Sequence, residues 1–104
     1  MSRPFSYNDE NFTVIGNVLF CHIKLSLSVP SGEHIVEIPP AIYNRLLSTT
    51  CAMTRERFAL NNYASYSIST TIIQDNGKYY LIANSVVKGE LYNYLNGIYY
   101  LKDI

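Results

Sequence analysis

The chain has 104 residues, of which 48% are hydrophobic and only 15% are charged, and eight basic residues balance eight acidic ones. This length predicts one domain with one hydrophobic core. The absence of a basic surplus argues against nucleic acid or an anionic membrane as a partner, because both are held mainly by clustered Lys and Arg.

The N-terminal sequence MSRPFSYNDENF lacks the basic and apolar segments of a signal peptide, and no stretch of the chain is long enough for a membrane span. We therefore expect synthesis in the cytoplasm. Residues 1–11 are interpreted as an N-terminal extension and residues 12–104 as a single β-sandwich domain. Cys21 and Cys51 are expected to be free thiols without a redox role.

The clearest periodic pattern covers residues 17–29, where alternate positions are apolar, and it predicts a long strand with one buried face. The residues expected on that face are Leu19, Cys21, Ile23, Leu25, Leu27 and Val29. A turn is predicted at PSGE, residues 30–33, because Gly32 accepts a positive φ. A returning strand follows and ends at Pro39 and Pro40, which block further ladder pairing.

Residues 41–62 carry a weaker pattern. Ser48, Thr49 and Thr50 are poor helix formers and interrupt the helix that Ile42 and Leu46 would otherwise line. A loop is favoured here, with at most one helical turn, followed by a short strand at residues 51–55.

The second half predicts two hairpins, because Asn76-Gly77 and Asn96-Gly97 both suit a two-residue type I′ turn. The first turn pairs Gln74 with Tyr79, Ile72 with Leu81, Thr70 with Ala83, Ile73 with Tyr80 and Thr71 with Ile82; the second pairs Tyr94 with Tyr99, Tyr92 with Leu101 and Leu95 with Ile98. Both faces of these hairpins are partly apolar. We therefore predict an all-β, antiparallel, jelly-roll-like sandwich of about seven strands, whose leftover apolar and tyrosine surface is covered by a second copy.

Five short motifs occur in a characteristic order: Gly16-Asn17-Val18, Pro30-Ser31-Gly32, Ile38-Pro39, Asp75-Asn76-Gly77 and the segment from Tyr94 to Tyr100. In this order they resemble the small β-sandwich domains of phage tail-fibre, baseplate and receptor-binding proteins. The likeness extends from about Phe12 to Asp103. It departs at Pro40 to Arg45, which lacks the glycine and the final proline of that family's loop.

The resemblance implies a homotrimer located in the virion after synthesis in the host cytoplasm. Such domains contact saccharides of the host cell surface or serve as structural spacers among other virion proteins. The prediction is therefore a non-enzymatic phage or prophage protein of the tail, baseplate or fibre. The alternative is a small cytoplasmic phage-encoded protein that binds and modulates a host protein through an exposed sheet edge.

The sequence contains no signature of catalysis, of a metal site or of a cofactor. His22 and His34, with Glu33 or Glu37, could be imagined as a metal site, but surface or satisfied polar histidines explain them better. Glu33 and Glu37 are also the one carboxylate pair that a glycosidase could use, but a solvated strand edge is favoured. No G-x-S-x-G elbow is present. We therefore expect no enzyme activity.

Tyrosine is abundant, with ten residues and no tryptophan. Its ring and hydroxyl suit cross-strand pairs at the edge of a core, a subunit interface or a ligand platform, and these alternatives stay open. The residues selected for an interface or platform are Tyr80 and Tyr99 first, followed by Tyr79, Tyr94 and Tyr100.

Overall fold

The computed structural model describes residues 6–25, 28–59, 62–87 and 93–102. Most of them belong to eight β-strands, and the one helix is a single turn. The elements are β1 (Tyr7–Asn8), β2 (Phe12–Ile15), β3 (Val18–Leu25), β4 (Val36–Ile38), α1 (Pro40–Tyr43), β5 (Thr50–Ala59), β6 (Asn62–Asp75), β7 (Lys78–Ala83) and β8 (Asn93–Tyr100). The predicted all-β class is confirmed, with one strand more than the seven expected.

The strands form one curled antiparallel sheet in the order β1-β2-β3-β8-β5-β6-β7-β4. The junction between β5 and β8, in the middle of the sheet, is short: among the described residues, Thr54 to Arg57 pair with Asn96 to Asn93. By contrast, eight residue pairs join β3 to β8 and ten join β5 to β6. The sheet therefore consists of two four-stranded halves that share a short seam.

Both halves contribute to one hydrophobic core, because the sheet curls around it. The buried apolar residues are Phe12, Val14, Leu19, Cys21, Ile23, Leu25, Ile38, Ile42, Leu46, Met53, Ile68, Ile72, Leu81, Ala83, Val87, Leu95, Tyr99 and Leu101. The packing is thus sandwich-like, although the hydrogen bonding follows one continuous sheet.

The alternation predicted for the first long strand is confirmed over β3, where Leu19, Cys21, Ile23 and Leu25 are buried and the residues between them are not. Leu27 lies outside the described residues. Val29 is half-buried and forms an isolated bridge with Val87.

The turn at Gly32 is also confirmed, with a φ of 81° and a hydrogen bond from the Glu33 amide to the Pro30 carbonyl (3.2 Å). The strand that follows it, β4, pairs with β7 at the far edge of the sheet.

The segment from Pro39 to Thr49 connects β4 to β5, which belong to the same half of the sheet. It contains the single helical turn, in which Ile42 is fully buried, and the strand predicted near Cys51 extends to Ala59. Beyond the helix, the Leu47 amide donates to the Tyr100 carbonyl (3.0 Å). The chain between β4 and β5 is therefore anchored to the end of β8.

The first predicted hairpin is confirmed in its turn and in its register. Asn76 and Gly77 have φ values of 52° and 77°, both in the left-handed region that a type I′ turn requires. The six pairs between β6 and β7 include all five predicted ones, from Gln74 with Tyr79 to Thr70 with Ala83, and add Asp75 with Lys78 beside the turn.

The second predicted hairpin is wrong. Asn96 and Gly97 lie inside β8, which runs unbroken from Asn93 to Tyr100 between β3 and β5. A central strand gains ladder bonds on both sides, which a terminal hairpin would lack. As a result, Tyr94 and Tyr99 occupy opposite faces of one strand, and Tyr92 lies outside the described residues.

The sheet begins within the segment assigned to an N-terminal extension, because β1 pairs with β2 through Tyr7 with Val14 and Asn8 with Thr13. Asp9 holds the turn between them. Its carboxylate accepts hydrogen bonds from the amides of Asn11 and Phe12 (both 2.8 Å) and from the Tyr7 hydroxyl (2.7 Å). Burial alone raises the pKa of Asp9, but these three hydrogen bonds outweigh it and lower that pKa.

Candidate interface

An exposed apolar surface lies on the outer side of β2, β3 and β8. Ile15 is directly opposite Val18, Val18 opposite Tyr100, and Phe20 opposite Ile98. Directly opposed residues of an antiparallel sheet share a face, so these five side chains are neighbours. The exposed fractions of Ile15, Phe20, Ile98 and Tyr100 are 64%, 45%, 39% and 58%. With Leu47, which adjoins them, these residues are called the apolar face.

Leu47 joins this surface through the opening between β5 and β8. It is 63% exposed and lines a cavity of about 310 Å³ together with Ile98 and Tyr100. A second cavity, of about 550 Å³, lies on the other side of Ile98 and is bounded by Phe20, Cys21, His22, Ala52, Thr54, Asn96, Gly97 and Ile98. The thiol of Cys51 crosses the opening and donates to the Ile98 carbonyl (3.0 Å). The apolar face is therefore not flat, because Ile98 lies between two hollows.

The described surroundings of the apolar face on β5 and β6 are polar and uncharged. On the adjoining part of β5, Thr50, Ala52 and Thr54 are exposed. Beyond them on β6, Ser69 accepts a hydrogen bond from the Asn84 side-chain amide (3.0 Å). Among the described outward residues from Val18 to His22, Asn96 to Tyr100 and Thr50 to Thr54, none is Lys, Arg, Asp or Glu.

Tyr100 is the one selected tyrosine that lies on the apolar face. Tyr99, placed first with Tyr80 as an exposed platform residue, is only 2% exposed, so that prediction is wrong. The pairing of β8 with β3 sets Tyr99 opposite Leu19, which points inward. The Tyr99 hydroxyl lies 3.1 Å from Thr70 Oγ1, and burial raises the pKa of Tyr99 to about 12.

The other selected tyrosines are half-buried, and each has one ring face stacked on a neighbouring ring of the same chain. Tyr80 stacks on His34 (centroids 3.7 Å apart, 9° between planes), Tyr79 on Tyr43 (3.7 Å, 12°) and Tyr94 on His22 (4.7 Å, 13°). These rings stiffen local packing. The structure does not bring the five selected tyrosines into one site.

The two histidines belong to different clusters. His22 lies on the outer side of β3, where its Nδ1 pairs with the Asn96 side-chain oxygen. His34 precedes β4 in the other half of the sheet, and its Nε2 lies 3.1 Å from an Asp75 carboxylate oxygen. The imagined pairing of these histidines is therefore not formed. Within the described ranges, no three His, Cys, Asp or Glu side chains cluster as metal ligands would.

Both cysteines are free thiols. Cys21 is buried, and desolvation raises its pKa to about 12. Burial also raises the pKa of Cys51. The thiolate is the reactive form of cysteine, so these environments make both side chains poor nucleophiles at neutral pH.

Sequence reasoning did not select Phe20, Ile98, Ile15 and Leu47. The sequence did contain a signal for Phe20. Phe20, like Val18, is an apolar residue on the more polar side of an alternating strand. Ile98 was not recognised as a surface residue of a central strand, because the prediction placed it next to a turn at Asn96-Gly97.

No helix of the described residues has the length and apolar character needed to cross a membrane. Comparison of the chain with protein-family models, with curated proteins and with solved structures finds no match.

Proposed function

We propose that this chain is a non-enzymatic virion protein of a phage or prophage, part of a tail, baseplate or fibre, that self-associates and serves particle structure or host-surface attachment. The observation that supports this best is the apolar face, which presents Phe20, Ile98 and Tyr100 on an antiparallel sheet. An interface for permanent assembly needs large apolar side chains on a rigid element, and this surface provides them.

Two further features agree with a structural role. The aromatic stacks of Tyr80 on His34 and Tyr79 on Tyr43 brace β7, the strand next to the β4 edge of the sheet. The thiols are buried or shielded, and the acidic residues Glu33 and Glu37 are exposed to solvent. The homotrimer and any contact with a surface saccharide follow from the family resemblance alone.

Mass spectrometry of purified particles from a strain that carries this gene tests the virion assignment. The protein is expected at a fixed copy number per particle, and its deletion is expected to give defective particles or particles that no longer adsorb. Its absence from intact, infectious particles would refute the proposal. A glycan array with the purified oligomer then separates the two roles, because binding indicates attachment and its absence indicates structure.

The alternative, a modulator of a host protein that binds at an exposed sheet edge, has less support. The two edge strands are β1 with two residues and β4 with three, and Pro39 and Pro40 follow β4 directly. Short edges and prolines are devices that prevent a further strand from pairing. Peptide addition at an edge would therefore find few free ladder positions.

A further inference from the structure

We propose that the apolar face, formed by Ile15, Val18, Phe20, Leu47, Ile98 and Tyr100, is covered by the same face of another copy of this chain. This inference deepens the self-association in the proposed function and rests on that part of it, but a face paired with itself gives a two-fold dimer and not the homotrimer that the resemblance implies. It replaces the predicted tyrosine interface with a surface whose centre is Phe20 and Ile98.

The first argument is the area of the surface. Five of the six described large hydrophobic side chains with substantial exposure belong to this face, and Val86 is the exception. At roughly 150–250 Å² for a fully exposed side chain of this size, their exposed fractions amount to on the order of 500 Å². A standard interface buries about 800 Å² per partner, of which about 65% is apolar in homodimers. The apolar face therefore supplies the apolar share of one subunit's contact.

The second argument is charge. Two copies of one surface meet without repulsion only if that surface lacks unbalanced charge, since like charges then oppose each other. The described outward residues of the apolar face and its neighbours on β5 include no Lys, Arg, Asp or Glu, and the whole chain has a formal net charge of zero. A strongly charged partner would find no complementary group within the face itself, because the nearest exposed charges, Lys24 and Lys102, follow His22 and Tyr100 at its margin. A second copy brings a surface of the same neutral character.

The third argument is shape. Phe20 and Tyr100 are the aromatic residues of the apolar face, and aromatic side chains are enriched among the residues that dominate binding energy at interfaces. Two hollows flank Ile98, one beside Phe20 and the other beside Leu47 and Tyr100. A facing copy offers protruding side chains of suitable size to both hollows.

Size-exclusion chromatography with light scattering tests the inference, against a subunit mass of 11.9 kDa. The wild type is expected to be an oligomer at micromolar concentration. Leu47→Asp and Phe20→Asp are expected to raise its dissociation constant at least tenfold and to elute as monomers. Leu47 lies outside the strands, so its substitution tests the interface without altering a ladder.

Val86→Asp is the matched control, because Val86 is 61% exposed, close to the 63% of Leu47, but lies outside the apolar face. It is expected to remain an oligomer, and circular dichroism is expected to show all variants folded. An oligomer that Leu47→Asp and Phe20→Asp leave intact would refute the inference and spare the proposed function. A monomeric wild type would overturn both this inference and the self-association.

Discussion

Gly97 packs directly against Met53: a Cβ atom added at residue 97 would lie 2.5 Å from Met53 Cγ and 3.2 Å from Met53 Cβ. This contact gives a physical reason for the glycine. Met53 is 1% exposed and occupies the inner side of the sheet where β5 separates from β8. Gly97 is therefore required by close approach within the core and not by a turn.

Gly97→Ala is expected to destabilise the protein by about 1–3 kcal/mol, because the inserted methyl group overpacks the contact with Met53. The better strand propensity of alanine works in the opposite direction but is smaller. The free energy of unfolding from urea titration measures the effect. Met53→Ala is the matched partner, and Gly97→Ala should cost less in that background than in the wild type. Equal costs in the two backgrounds would show that Met53 is not the cause.

The hydrogen bonds around Tyr99 predict which of two variants, Tyr99→Phe or Thr70→Val, is the less stable. The Thr70 hydroxyl donates to the Cys51 carbonyl (2.8 Å), so the Tyr99 hydroxyl is left to donate to Thr70 Oγ1 (3.1 Å). Tyr99→Phe removes one hydrogen bond and should cost about 1 kcal/mol. Thr70→Val leaves the buried Tyr99 hydroxyl and the part-buried Cys51 carbonyl without the Thr70 hydroxyl and should cost about 2 kcal/mol or more.

Urea unfolding of both variants measures this order. Because Tyr99→Phe keeps the ring, it also serves as a control for packing. A Thr70→Val variant as stable as Tyr99→Phe would contradict the assigned direction of the hydrogen bonds.

Stability is expected to fall at alkaline pH. Burial raises the pKa of Cys21 from 9.0 and the pKa of Tyr99 from 10.0, each to about 12. A group whose pKa is raised by folding stabilises fully below its unfolded pKa, and that contribution is lost as the pH rises toward the folded pKa. The loss should begin near pH 9 through Cys21 and steepen above pH 10 through Tyr99, by up to about 1.4 kcal/mol per pH unit for each group.

Unfolding free energies between pH 7 and pH 11 measure this profile. Cys21→Ala should lower stability at pH 7, because it leaves a cavity, and should make the decline above pH 9 shallower. Tyr99→Phe should reduce the slope only above pH 10. Profiles of both variants parallel to that of the wild type would contradict the burial of these two groups.

Features that depend on residues close together in the sequence were predicted correctly. The pairing of strands that are far apart in the sequence was not. The alternation of β3 and the Asn76-Gly77 turn depend on neighbouring residues alone, and both are confirmed. The position of β8 depends on contacts such as that between His22 and Asn96, which are 74 residues apart. No local pattern distinguishes a glycine needed for a turn from one needed for the approach of Met53.

The apolar face was not predicted from the sequence, for the same reason. Phe20 and Ile98 become neighbours only when β3 pairs with β8, and the predicted hairpin placed Ile98 opposite Leu95 instead. Tyr99 was expected outside because its partner was taken to be Tyr94. In the structure Tyr99 lies opposite Leu19, so its side chain points into the core.

Gly77 offers a test of how the two Asn-Gly pairs differ. Its φ is +77°, and a Cβ atom there would meet nothing within 4 Å, so its substitution costs backbone energy alone. Gly77→Ala is therefore expected to destabilise by about 1–2 kcal/mol. Asn76→Gly is the control and should stay within about 0.5 kcal/mol of the wild type, because glycine also accepts the φ of 52°.

Asparagine at each glycine position separates the backbone mechanism from the steric one. Asparagine tolerates the left-handed region, so Gly77→Asn should cost less than Gly77→Ala. At Gly97 the order should reverse, since the larger side chain adds to the clash with Met53 and Gly97→Asn should cost more than Gly97→Ala. Urea unfolding of the four variants gives both differences. The same order at both positions would mean that residue 97 is limited by its backbone conformation, which would contradict its place inside a continuous β8.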